Sequence, residues 1–144
     1  MNTIGEHMKI INAEGLILGR MASVIAKQLL SGDEVVVLNA EKAIIKGAKT
    51  MVFSKYRKMR ELSHARKGPH FPRMPDRLLK RTIRGMIPYQ SPHGRKAYKN
   101  LKVFIGTPKE FKKEKSESIS FAEAKSLSQF VELGDVSRYL GAKI

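Results

Sequence analysis

The sequence predicts a layered α/β fold, because a strand, a helix and a second strand follow one another near its start. Residues 9–12 have the composition of a short strand, residues 20–30 show helical periodicity, and residues 35–38 read Val-Val-Val-Leu. Such a unit is almost always a right-handed crossover between parallel strands. The length of 144 residues corresponds to about one domain.

The elements of this unit follow from where its apolar residues stand. The helix has two adjacent apolar stripes, formed by Met21, Ile25 and Leu29 and by Ala22, Ala26 and Leu30. Gly32 supplies the usual stop signal after it. The run at 35–38 is apolar without alternation and rich in β-branched residues, as expected of a strand covered on both faces. Residues 101–105 are a further strand candidate.

The positive charge of the chain is concentrated in its middle. The whole sequence has a net charge of +15, from 28 basic and 13 acidic residues. Residues 42–113 alone hold 21 basic residues against Glu61, Asp76 and Glu110. Solvated surfaces usually mix both signs, because unopposed like charges repel each other. The segregation therefore predicts a surface that binds the phosphates of a nucleic acid.

Two basic amphipathic helices are predicted within this region. In the first, Ala48, Val52, Tyr56 and Met59 share one face, Lys46, Lys49, Arg57 and Arg60 lie beside it, and Lys55 interrupts the apolar side. In the second, Leu78, Leu79, Thr82, Ile83 and Met86 fill one arc, and Arg77, Lys80, Arg81 and Arg84 fill the opposite one. Pro75 and Asp76 suit the first turn of the second helix, and Gly85 and Pro88 mark its end.

The proline-rich segment, residues 67–75, repeats with a period of three. The repeat consists of Pro69, Pro72 and Pro75 and of Lys67, His70 and Arg73. A polyproline II helix has about three residues per turn. If the segment is extended in this way, its basic side chains form one edge that faces the nucleic-acid backbone. A proline-punctuated loop with coincidental spacing remains the alternative.

A loop is predicted at residues 90–96, where cations stand between Tyr89 and Tyr98. Unpaired bases stack on exposed aromatic rings. We expect Tyr98 to anchor the loop to the core, whereas stacking of a base on Tyr89 stays open. Gly94 would let the backbone approach a phosphate closely.

The last part of the chain is predicted to fold onto the body or onto a neighbour. Residues 112–118 are polar and low in complexity, which is typical of a linker. Residues 130–133 are a short strand candidate, and residues 135–140 are a helix too brief to be stable without docking.

Several classes of site are excluded by the residues present. The chain has no cysteine, and the turn at 15–20 lacks the spacing and the lysine of a phosphate-binding loop. His64, His70 and His93 lack the spacing of metal ligands. The apolar runs are far shorter than the about 20 residues that cross a bilayer. We expect a cytoplasmic protein with no metal, cofactor, membrane contact or small-molecule substrate.

Two stretches carry a resemblance to a known family. They read INAEGLILGRMASVIAKQLLSGDEVVVLNAEKAIIKG and RGMIPYQSPHGRKAYKNLKVFIGTP. Over about residues 10–111 the chain resembles the L-thirteen family of large-subunit ribosomal proteins, and the block KGPHFPRMPDRLLKRTIRGMIP is similar to its archaeal and eukaryotic branch. The resemblance implies a three-layer α/β/α fold around a mainly parallel sheet of about four strands. It also implies binding to large-subunit rRNA, with neighbouring ribosomal proteins as further partners.

The same resemblance divides the chain and places the RNA-facing region. That region corresponds to residues 68–84 and 86–102. Residues 1–7 precede the family's usual start at Met8, and the tail after Lys113 matches only loosely. We therefore expect a leader at 1–7, a core domain at 8–112, and a polar linker with a strand–helix extension at 113–144. An alternative start at Met8 stays open.

Three functions are weighed against each other. The prediction is a non-catalytic structural constituent of the large ribosomal subunit that binds rRNA and supports assembly. The alternatives are a free RNA-binding regulator and a small RNA-processing enzyme that uses His64, His70 or His93 as acid and base. The residues predicted to bind RNA are Lys46, Lys49, Arg57, Arg60, Arg66, Lys67, His70, Arg73, Arg77, Lys80, Arg81, Arg84, Tyr89, His93, Arg95, Lys96 and Lys99.

Overall fold

The computed structural model describes residues 8–144, so the predicted leader lies outside the described residues. The strands are β1 (Met8–Asn12), β2 (Glu34–Leu38), β3 (Ile44–Lys46), β4 (Leu101–Val103) and β5 (Phe130–Glu132). The α-helices are α1 (Leu18–Leu30), α2 (Lys49–Glu61), α3 (Pro75–Gly85), α4 (Pro92–Lys99) and α5 (Leu133–Tyr139). Among these residues no helix combines the length and apolarity that a bilayer crossing requires.

The central sheet is parallel and has the order β1-β2-β4. β1 pairs with β2 so that Ile10 lies beside Val36, and β2 pairs with β4 so that Val36 lies beside Lys102. Helix α1 makes the connection between β1 and β2. The predicted α/β class and the mainly parallel sheet are confirmed.

Among residues 8–144 the central sheet has three strands, where about four were expected. At the outer edge of β1 a fourth position is taken by a one-residue parallel bridge between Ile11 and Glu117. Strands β3 and β5 form a separate antiparallel pair. A positive φ of 134° at Gly47 separates β3 from α2. Lys46 is therefore the last residue of β3. Its predicted place on the first basic helix was wrong.

The two faces of the central sheet carry layers of different thickness. On one face Ile11, Val35 and Val37 belong to the main core together with residues of all five α-helices. On the other face Ile10, Val36 and Leu38 are covered by partly buried apolar side chains from Met8, Phe104 and Phe111. The second covering layer is thus thinner than the helical layer that the resemblance implied. Phe111 ends a single 3-10 turn at Lys109–Phe111.

Helices α1 and α3 begin and end close to where the sequence places them. α1 stops at Leu30, and Gly32 follows with a φ of 99°, a left-handed conformation that glycine adopts without strain. α3 starts at Pro75 and ends at Gly85. Met86 lies beyond the helix and is 43% exposed, while Ile87 is buried. The predicted place of Met86 on the apolar arc was therefore wrong.

The segment between Tyr89 and Tyr98 was predicted to be a loop, and it is largely helix α4. Ser91 caps this helix, because its Oγ accepts a hydrogen bond of 3.1 Å from the backbone N–H of Gly94. Pro92 occupies the first helical position, where its missing N–H costs nothing. The Ser-Pro pair at 91–92 is a helix-start signal in the sequence, and it was not used to predict α4.

The C-terminal residues dock on the body of the protein. This is the first of the two predicted alternatives, the other being docking onto a neighbour. β5 pairs with β3, and Leu133 and Val136 are fully buried in the main core. Residues 112–118 are exposed and form neither α-helix nor named strand. The division of the chain into a core at 8–112 and an extension at 113–144 stays a prediction.

Candidate nucleic-acid interface

Several basic side chains line a pocket along one face of α3. The pocket has a volume of about 220 Å³. Its walls are formed by His70, Pro72, Arg77, Lys80, Arg81, Arg84 and Tyr98. Among residues 8–144 no carboxylate lines it. A concave surface with several cations and no acid is suited to bind an anion.

Helix α3 presents these cations because its opposite face is buried. Leu78, Leu79 and Ile83 are at most 2% exposed and belong to the main core. The predicted segregation of apolar and basic arcs on this helix is thereby confirmed. Asp76 stands in the first turn, at the positive end of the helix dipole, and does not line the pocket.

Two of the arginines are held against aromatic rings. The Arg81 guanidinium carbon lies 4.9 Å from the centroid of Phe71. The Arg84 guanidinium carbon lies 5.4 Å from the centroid of Tyr89. Cation–π contacts of this kind restrict the side chains while leaving the guanidinium donors available. The charges are thus partly ordered before any ligand arrives.

Tyr98 supplies the aromatic wall of the pocket from α4. Its ring packs edge-on against Tyr89, with 5.4 Å between centroids, and the residue also packs against the main core. The predicted anchoring role of Tyr98 is therefore confirmed. Burial raises the pKa of the Tyr98 hydroxyl, and the charge of Arg84 opposes this rise. The hydroxyl keeps its proton at neutral pH and can donate a hydrogen bond.

The proline-rich segment is extended over a shorter stretch than the period of three suggested. Lys67 lies in a turn that is closed by hydrogen bonds between the backbones of His64 and Gly68. The φ of Gly68 is 74°, whereas polyproline II requires about −75°. The regular helix therefore cannot begin before position 69, and Lys67 does not share an edge with His70 and Arg73. Arg66 and Lys67 are exposed in the turn.

The basic residues of α2 form a weaker cluster beside α5. Arg57 donates a hydrogen bond of 2.7 Å from Nε to Glu61, and hydrogen bonds to Glu61 and Tyr139 raise its pKa. Arg60 lines the same small pocket as Arg57 and Tyr139. Lys49 lies over the ring of Phe53 at 5.4 Å. Because Glu61 already neutralises Arg57, this cluster is less suited to bind phosphate than the α3 pocket.

The cations of α4 are exposed, but Gly94 does not have the function that the sequence suggested. His93, Arg95, Lys96 and Lys99 are all exposed. Gly94 is buried, and a Cβ at this position would lie 2.0 Å from the carbonyl oxygen of Pro88. The close approach that requires glycine is therefore an internal one and involves no phosphate.

The candidate histidines lie in different segments, with His64 in the turn, His70 before α3, and His93 on α4. His70 lines the α3 pocket, and neither of the others does. In addition, no group of three side chains among residues 8–144 is arranged to hold a metal ion.

The carboxyl end of the parallel sheet, where α/β proteins usually bind ligands, is closed by its own residues. The Asn39 amide donates a hydrogen bond of 3.0 Å to Asn12, and Thr107 donates one of 3.2 Å to Asn39. Glu41 accepts a hydrogen bond of 3.0 Å from the backbone N–H of Gly106. These bonds join the loops after β1, β2 and β4. The basic pocket therefore lies away from the usual ligand position of this fold class.

Two residues were missed as site candidates by the sequence analysis. Tyr98 lines the α3 pocket as well as anchoring α4. Recognition of the Ser91 cap would have placed Gly94, Ala97 and Tyr98 on one helix face. Lys55 lines an apolar groove next to the α3 pocket, and its position on the apolar side of α2 was the available signal.

Comparison with known proteins identifies the family. The profile of the family described as Ribosomal protein L13 matches residues 6–110 of this chain. The chain belongs to this ribosomal protein family. It is therefore a structural protein rather than an enzyme, and the resemblance inferred from the motifs is confirmed.

The relatives of this L13-family chain include several archaeal proteins named large ribosomal subunit protein uL13. The protein of Methanosarcina barkeri is 50% identical over 139 residues, which cover 94% of this chain and 99% of the relative. The protein of Archaeoglobus fulgidus is 47% identical over 144 residues, with 98% and 92% covered. That of Methanocaldococcus jannaschii is 43% identical, with 94% and 99% covered. These matches extend beyond the family profile and include most of the C-terminal residues.

Proposed function

We propose that this protein is a structural constituent of the large subunit of the cytoplasmic ribosome and binds rRNA with the α3 pocket at the centre of its interface. The observation that carries the proposal is the composition of that pocket. Four Lys and Arg side chains and His70 surround it, and no carboxylate among the described residues lines it. The archaeal relatives, named as large-subunit proteins, support the choice of rRNA as the polyanion.

Phosphate neutralisation supplies most of the affinity in this proposal. Arginine presents a planar fork of donors that matches two phosphate oxygens, and Arg77, Arg81 and Arg84 stand within three turns of one helix. The remaining predicted contacts come from the β3–α2 region, the turn at 64–68, the segment before α3, and α4. Neighbouring ribosomal proteins complete the set of partners.

Reversing the charge of the pocket tests this function. The test variant replaces Arg77, Lys80, Arg81 and Arg84 with glutamate, and its binding to large-subunit rRNA fragments is compared with that of the original chain by filter retention. We expect a loss of binding of at least a hundredfold at low salt. For the original chain, raising salt from about 50 to about 200 mM should weaken binding by about 10³-fold or more.

A matched control separates the pocket from the overall charge. Replacing Lys27, Lys112, Lys113 and Lys143 with glutamate changes the net charge by the same amount at four exposed positions outside the pocket. This control should lose far less affinity. Equal losses in both variants would mean that the overall charge, and not the α3 pocket, governs binding.

Cosedimentation distinguishes a ribosomal constituent from a free RNA-binding regulator. After a moderate salt wash the protein should remain with large subunits in a one-to-one ratio. Recovery in the soluble fraction, or in a small and variable amount on subunits, would contradict the structural role.

A further inference from the structure

We propose that the apolar groove next to the α3 pocket holds one nucleotide that is flipped out of the bound RNA. This inference rests on the proposed function, since it concerns the same RNA. It adds a second kind of contact, in which a base is buried, to the phosphate contacts of the α3 pocket.

The groove has the size and the walls of a small-molecule site. Its volume is about 420 Å³, within the range of ligand pockets. Its apolar wall is formed by Ile17, Ile44, Tyr56, Met59 and Phe71. Tyr56 and Ile44 are buried, while Phe71 and Met59 are half-buried and pack against the core. The wall therefore belongs to the rigid body of the protein.

Three cations complete the lining of this groove. They are Lys46 at the end of β3, Lys55 on α2, and Arg81 on α3. None of them forms a salt bridge within the part of the chain that the structure describes. No carboxylate among residues 8–144 lines the groove. An apolar wall with cations and no acid is complementary to a nucleotide, which has an uncharged base and a phosphate on each side.

Arg81 connects the groove to the α3 pocket, because it lines both. An RNA strand whose phosphates occupy the pocket would thus pass the entrance of the groove. A base turned out of the strand at this point could enter beside the guanidinium of Arg81, which already lies over Phe71. Single-stranded and bulged bases are commonly held on aromatic rings and on arginine planes in this way.

Lys55 adds to the positive charge of the groove. It stands on the apolar side of α2 and remains exposed to solvent while it lines the groove. An apolar protein segment would leave the three cations without partners, so the charge favours the nucleotide.

Filling the groove tests the inference without changing any cation. Gly19 lines the groove, and a Cβ at this position would have no heavy atom within 4 Å. Gly19→Trp should therefore fold normally and occupy the space. Met51→Trp, at a position of α2 that is 74% exposed and does not line the groove, is the matched control. Circular dichroism verifies that both variants are folded.

The probes are two RNA stems that differ by one nucleotide. In one stem a fluorescent adenine analogue is the single bulged nucleotide. In the other stem the analogue is base-paired and there is no bulge. We expect the original chain and Met51→Trp to prefer the bulged stem about tenfold, as one stacked base provides. Gly19→Trp should lose this preference and the accompanying fluorescence change, while it binds the paired stem unchanged.

The outcomes separate this inference from the proposed function. Equal binding of both stems by the original chain would overturn the inference alone, and so would a preference that survives in Gly19→Trp. Binding of neither stem at low salt would overturn the proposed function as well.

Discussion

Gly94 packs so closely on Pro88 that a Cβ at position 94 would lie 2.0 Å from the Pro88 carbonyl oxygen. The same oxygen accepts a hydrogen bond of 2.8 Å from Ser91 Oγ, which caps α4. The start of α4 is thereby fixed against the chain that leaves α3. This contact determines where Tyr98 meets Tyr89, and therefore the aromatic wall of the α3 pocket.

The close contact predicts a large effect of adding one methyl group. Gly94→Ala should lower the free energy of unfolding by about 3 kcal/mol, since the obstructing atom is backbone and cannot rotate away. Urea denaturation measures the change. Gly85→Ala is the matched control, because nothing lies within 4 Å of a Cβ there, and it should leave stability unchanged or slightly raised. Equal stabilities of the two variants would contradict the packing role of Gly94.

The elements that the sequence predicted correctly are those specified by local signals. Periodicity defines α1 and α3, and Gly32 and Pro75 stand at their ends. Strand β3 had no such signal, because its three residues are held by pairing with β5 more than eighty positions later. Its last residue, Lys46, was therefore assigned to the following helix.

The candidate site was predictable only where a local pattern in the sequence specifies it. The basic arc of α3 follows from spacing alone and is confirmed. The pocket itself needs Tyr98 from α4 and His70 from the segment before α3. Distances between elements of this kind are set by tertiary packing, which no local pattern records.

The docking of the C-terminal residues predicts that they unfold together with the body. Leu133 is fully buried in the main core, so Leu133→Ala should cost about 2 to 5 kcal/mol. Leu62→Ala, at a leucine that is 69% exposed, should cost far less. Intrinsic fluorescence and circular dichroism should show one coincident urea transition. A separate early transition in Leu133→Ala would indicate that the extension is an independent unit.

Burial of Tyr56 predicts a loss of stability at alkaline pH. Burial raises the pKa of its hydroxyl above the ordinary value of 10.0. The unfolded chain therefore ionises first, and stability falls as the pH rises from the ordinary pKa towards the folded one, by up to about 1.4 kcal/mol per pH unit. Below the ordinary pKa this contribution is fully present.

Tyr56→Phe removes the ionising group and should make the alkaline fall less steep. Urea denaturation at several pH values between neutral and strongly alkaline measures the slope. Tyr139→Phe, at a ring that is 44% exposed, is the control and should keep the steep fall. Identical slopes in all three proteins would show that Tyr56 does not contribute to the alkaline loss.

The exposure of the Tyr89 ring leads us to expect a contact with an unpaired base of the bound RNA. The ring is 39% exposed and lies against Arg84 and Tyr98, which hold it at the side of the α3 pocket. Stacking of one base on such a ring contributes about 1 to 3 kcal/mol. Tyr89→Ala should therefore weaken binding to an rRNA fragment with unpaired bases about fivefold or more, whereas Tyr89→Phe should bind as the original chain does.

Phe121→Ala distinguishes stacking from the loss of any exposed ring. Phe121 is 63% exposed and has Arg20 over its ring at 5.5 Å, so it repeats the arginine–aromatic arrangement outside the α3 pocket. Its removal should leave the affinity for RNA unchanged, as measured by the same filter retention. If Tyr89→Ala also binds RNA like the original chain, the ring of Tyr89 does not stack on a base. Its role would then be limited to packing against Tyr98, and Arg84 would bind phosphate without its support.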